Sequence, residues 1–169
     1  MARTTFQGPI RSLGGFYTQG PNTVVEVANG TNTLTVDVAN YAGRTMRTND
    51  ATLIITLPAI NASADAVSSG PGADPNTLNN LGATYRIFIE TTASAVAIKT
   101  DGTDKFVGSL MMVDTDSSGA AYGYAPGASN DVINLNGTTT GGIAGSWVEI
   151  TAVAALKYAV TGKIGRAHV

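Results

Sequence analysis

An all-β fold is what this sequence predicts: an antiparallel β-sandwich or barrel, jelly-roll-like, with an extended N-terminal arm. Short runs rich in Val, Ile, Thr and Ala are punctuated by Gly, Asn and Asp, which is the composition of strands and of the turns between them. The runs recur at a spacing of roughly ten residues, the rhythm of sandwiches and barrels. No segment sustains an apolar stripe at helical spacing.

Residues 1–22 predict the arm. Phe6, Ile10, Leu13, Phe16 and Tyr17 follow neither a strand nor a helix period, and Gly8-Pro9, Gly14-Gly15 and Gly20-Pro21 break any regular element. With Arg3 and Arg11 they make a binding segment that lies across its own domain or on a neighbouring chain, the alternative being a frayed terminus. Residues 23–169 then form a single β domain. Its first hairpin pairs 23–27 with 33–38 around Asn29-Gly30, with Leu34, Val36 and Val38 on one face. The run 52–57, stopped by Pro58, predicts a central strand buried on both faces. Residues 61–82, with Gly70-Pro71-Gly72 and Asp74-Pro75, exceed an ordinary connection and predict a functional loop or a tolerated surface insertion. A second pair is expected at 85–90 and 95–99, then a strand at 106–113. Weaker strands follow at 121–124 and 131–135, and a closing pair at 147–152 and 156–161.

Reactive chemistry is scarce in this chain. It has 169 residues with no cysteine and one histidine, the penultimate His168, so thiolate, disulfide and imidazole chemistry have little to work with. Charged residues make up 13% and the net charge is -2, which gives no positive field for nucleic acid. No apolar run approaches the ~20 residues of a membrane span, and the N-terminus lacks the apolar core of a secretory signal. The expectations are synthesis in the cytoplasm, no membrane or nucleic-acid partner, no cofactor and no catalysis.

The candidate motifs weaken on inspection. Asp114-Thr115-Asp116-Ser117-Ser118-Gly119 begins like a calcium loop, but Ala125 stands where the closing carboxylate is needed, so a polar turn is expected and no metal. Asp101 and Asp104 are the nearest further oxygen donors. Glu26, Asp37, Glu90 and Glu149 read as solvent-facing strand positions, and no pair of them can be nominated as acid and base. Trp147 and Tyr158 are expected as core or interface anchors.

Two stretches carry a family likeness. Thr4-Thr5-Phe6-Gln7-Gly8-Pro9-Ile10-Arg11-Ser12-Leu13-Gly14-Gly15-Phe16, together with residues 131–142 and Gly145-Ser146-Trp147-Val148-Glu149-Ile150, resembles the capsid decoration or cement proteins of tailed bacteriophages. The likeness covers about a third of the chain. Where that family carries a tryptophan in its last strand, this chain has Tyr158. The resemblance implies a homotrimer that binds the major capsid protein on the outside of the assembled shell and stabilises it. The alternative is a tail- or fibre-associated module that recognises a host receptor through the 61–82 loop.

Overall fold

The computed structural model describes residues 24–27, 32–63, 75–114 and 119–167, and within them the fold is β-rich, as expected. The first six strands are β1 (Val24–Val27), β2 (Thr33–Thr35), β3 (Thr45–Thr48), β4 (Ile54–Thr56), β5 (Thr84–Ile89) and β6 (Val96–Lys99). The others are β7 (Lys105–Gly108), β8 (Leu110–Asp114), β9 (Ala121–Tyr124), β10 (Val132–Leu135), β11 (Trp147–Ala154) and β12 (Lys157–Arg166). An eight-stranded sheet runs β1-β3-β5-β11-β12-β8-β9, with β7 also beside β12, and a four-stranded sheet runs β10-β6-β4-β2.

The pairing departs from the antiparallel, jelly-roll-like expectation. Six pairings are parallel and four antiparallel. From β1 to β6 the chain changes sheet at every connection, so each strand lies parallel to its next-but-one neighbour. The expected hairpins at 23–38 and 85–99 therefore do not form, because each joins a strand of one sheet to a strand of the other. A Gly- or Asn-rich turn signals that the chain reverses, and alternation signals a half-buried strand. Neither says whether the returning strand bonds beside its predecessor or crosses the core to face it.

Both sheets contribute to one apolar cluster. Met46, Ile87 and Ile150 on the larger sheet and Ile55, Ile98 and Leu135 on the smaller are all buried within it. The run 52–57 supplies an interior strand, β4, between β6 and β2. It is not buried on both faces as expected, since Leu53, Ile55 and Leu57 are fully buried while Ile54 and Thr56 stay half-buried. Tyr158 on β12 is also fully buried, and its hydroxyl donates to the Pro58 carbonyl beyond β4 at 2.7 Å, tying the larger sheet to the end of the smaller.

Two local departures have clear causes. Residues 106–113 form β7 and β8 rather than one strand, both parallel to the long β12. The break is at Gly108, whose φ of +106° suits glycine and lets Ser109 N–H reach the Val160 carbonyl at 3.0 Å. Asp37 is not a strand carboxylate. It caps a four-residue helix α1 (Val38–Tyr41) and accepts from Asn40 N–H at 2.8 Å, which also ends β2 earlier than expected. The closing pair, β11 with β12, forms as an antiparallel hairpin.

Asn80 joins the two described ends of the long loop. It is buried, its side chain accepts from Asn61 N–H at 2.9 Å, and its amide donates to the Ala59 carbonyl at 2.9 Å. Asn80→Ala removes two hydrogen bonds made by a buried side chain, so it should cost about 2 kcal/mol in a urea-unfolding measurement.

Candidate functional site

The sheets are unequal in width, and that creates an open ledge. Directly opposed residues on neighbouring strands share a face, and on β9 Tyr122 opposes Met112 while Tyr124 opposes Leu110. Met112 and Leu110 are buried, yet Tyr122 and Tyr124 are 43% and 48% exposed. The core-facing side of the larger sheet therefore continues outward past the cover of the smaller one.

Beside the ledge lies a groove of about 270 Å³. Its apolar walls are Phe106, Leu110 and Val160 from the larger sheet, Tyr124 of the ledge and Pro126 just beyond it, and Val132 on β10, the edge strand of the smaller sheet. Asn130, Asn134, Thr139 and Thr140 add polar groups to the lining. The sequence marks strands at 121–124 and 131–135 but not the groove between them. The signal in the chain is the Tyr122-Gly123-Tyr124-Ala125-Pro126 cluster, too rich in exposed aromatic surface for a plain turn.

Polar contacts fix the groove wall. Phe106 N–H donates to the Asn130 carbonyl at 2.9 Å and Thr100 N–H to the Asp131 carbonyl at 3.0 Å. Lys105 Nζ donates to Asp131 Oδ2 at 2.6 Å, and this hydrogen bond holds the Asp131 carboxyl below the usual range. Burial pushes Asp104 the other way, only partly offset by the Ile60 N–H that donates to it at 2.8 Å. Asp101, which accepts from Thr103 and Asp104 N–H, also raises Asp104, and Lys105 lowers it. The two carboxylates should therefore oppose each other in acid. Asp131 contributes stability that is present above its unfolded pKa and lost as pH falls through its folded one. Asp104 contributes stability that is present below its unfolded pKa and lost as pH rises through its folded one. Melting temperatures from pH 3 to pH 7 check this: relative to the native chain, Asp131→Asn should lose ground as pH rises and Asp104→Asn should gain it.

No family model, curated protein or solved structure matches this chain.

The residues expected to act fall in different places. Arg3, Phe6, Ile10, Arg11, Leu13, Phe16 and Tyr17 lie outside the described residues, as does His168. Tyr158 is in the core, while Trp147 is half-buried on the opposite face of its sheet. There Trp147 stands in register with Phe88 and carries the Arg86 guanidinium 4.8 Å from its ring centroid. Of the supposed calcium loop, Asp114 is buried and accepts from Arg166 Nε at 2.6 Å. Asp101 and Asp104 are occupied by backbone N–H groups. Among the described residues no three His, Cys, Asp or Glu side chains gather as a metal site, and no helix is long and apolar enough to cross a membrane.

Proposed function

We propose that this protein is a virion structural component, a bacteriophage capsid decoration or cement protein that binds the outer surface of the assembled shell and stabilises it without catalysis. In this reading the two sheets pack as a sandwich, and residues 1–22 are an extended arm contacting the major capsid protein or an adjacent copy through Arg3, Phe6, Ile10, Arg11 and Phe16. The protein is a homotrimer on the capsid exterior, made in the host cytoplasm, with neither nucleic-acid nor membrane partner.

The observation that carries the reading is the open ledge of Tyr122 and Tyr124 beside an apolar groove. Aromatic surface exposed at a sheet margin suits the gripping of other subunits, and the likeness to decoration proteins in residues 4–16 and 131–150 points to the shell as partner. Many copies, each bridging several subunits, would gain holding strength by effective concentration rather than from one tight site.

Co-sedimentation with purified capsids tests it. The full chain should pellet with capsids, and deletion of residues 2–16 should reduce the bound fraction at least about tenfold while the circular dichroism of the β domain stays unchanged. Undiminished binding of the truncated chain would refute the arm's role. Binding to host-surface glycans with no affinity for capsids would favour the receptor-recognition alternative.

A further inference from the structure

We propose that the groove between β9 and β10 is a saccharide site that takes one neutral N-acetylhexosamine unit, with Tyr124 as its stacking platform.

Charge narrows the ligand first. Among the described residues none that lines the groove is charged, and the ion pair that braces its wall, Lys105 with Asp131, is closed on itself at 2.6 Å. An ion entering the groove would lose water without meeting a counter-charge. The ligand is therefore neutral.

The lining then asks for a molecule with two characters. Phe106, Leu110, Val160 and Ile164, all buried, make an apolar floor, and Tyr124, Asn130, Asn134 and Thr140 stand around it. The side chains of Tyr124, Asn134 and Thr140 make no hydrogen bond with any described residue, and Asn130 uses only its Oδ1, which accepts from Gly127 N–H at 2.5 Å. A wholly apolar ligand would strip water from these groups and return nothing. A pyranose satisfies both sides: its hydroxyls meet the free amides and hydroxyls, and its C–H face lies on an aromatic ring such as that of Tyr124, which is 48% exposed. The N-acetyl group adds a methyl for the floor and an amide that Asn134 can pair as donor and acceptor.

Size and rigidity agree. A volume of about 270 Å³ suits one ring and its substituent, where an extended peptide would need a longer trough. Asn136, outside the lining, accepts from Thr138 N–H at 3.1 Å and Thr140 N–H at 2.9 Å and donates to Thr139 Oγ1 at 2.8 Å. These bonds hold Thr139 and Thr140 at the rim before a ligand arrives, which lowers the ordering cost of binding.

Two-dimensional NMR of the full chain tests the site, with N-acetylglucosamine, N-acetylgalactosamine and N-acetylmannosamine titrated in turn. Glucosamine, at mildly acidic pH where its amine is protonated, is the charged control. At least one of the three neutral sugars should give saturable shifts at the amides of Asn130, Asn134 and Thr140, and glucosamine should bind at least about tenfold more weakly. Tyr124→Ala should weaken binding at least about tenfold, whereas Tyr122→Ala, on the ledge but outside the lining, should change it less than about twofold. Both tyrosines are exposed, so both variants should keep the native circular dichroism. No saturable shift with any of the three sugars would overturn the proposal. So would equal binding of glucosamine, or binding that Tyr124→Ala leaves intact. The titration uses no capsid, so its failure would leave the shell-binding reading standing, and loss of capsid binding would leave this one standing.

Discussion

Tyr158→Ala is expected to lower unfolding free energy by about 3–5 kcal/mol, the range for emptying a large aromatic site in a packed core. Tyr158 is fully buried on β12 and is the residue whose hydroxyl ties that strand to Pro58 beyond β4. Tyr158→Phe isolates the polar part of this effect and should cost about 1–2 kcal/mol, because the Pro58 carbonyl loses its donor. Tyr85 provides the control. It is equally buried, but its hydroxyl has no hydrogen-bond partner among the described residues, and burial, with Asp37 nearby, pushes its pKa up to about 12. Tyr85→Phe should therefore be neutral or slightly stabilising. Urea titrations of the three variants would check the ordering, and equal losses for the two Phe substitutions would contradict it.

Gly108→Ala should cost about 3 kcal/mol or more, although it adds one methyl group. At φ +106° a side chain is strained wherever the space lies, and here a Cβ would stand 2.4 Å from the Val160 carbonyl oxygen. That oxygen accepts the Ser109 N–H that seats the β7–β8 break against β12. Relieving the overlap would pull β7 from β12 and disturb the groove wall at Phe106 and Leu110. Gly102→Ala makes the comparison fair, because Gly102 also has a positive φ but open space around its Cβ, so its loss reports conformational strain alone. A smaller loss at Gly108 than at Gly102 would argue against the close packing described here.

What could be read from the chain was the kind of element and, in several places, its position. The continuous apolar run 52–57 gave away an interior strand, though not its one-sided burial, and residues 147–161 gave away the β11–β12 hairpin, because such patterns act locally. Sheet membership was not legible. Asn29-Gly30 looks the same whether the chain turns back within one sheet or crosses to the other, so the parallel winding of β1 to β6 stayed hidden. Asp37 and Asp104 escaped for a related reason. The helix cap of one and the Ile60 contact of the other depend on neighbours brought by the fold rather than by sequence spacing. The groove escaped too, since it arises from a difference in width between two sheets and no local pattern encodes that difference.

The widths of the sheets also connect the stability argument to function. The described residues present three surfaces suited to contact: the tyrosine ledge, the groove, and the face carrying Phe88, Arg86 and Trp147. Under the proposed function such surfaces would act by coverage and repetition.

Mass-spectrometric counting of this protein in purified virions, relative to the major capsid protein, tests that proposal most directly. A copy number comparable with that of the shell protein, falling away when residues 2–16 are deleted, is the predicted result. A handful of copies that fractionate with the tail would contradict it.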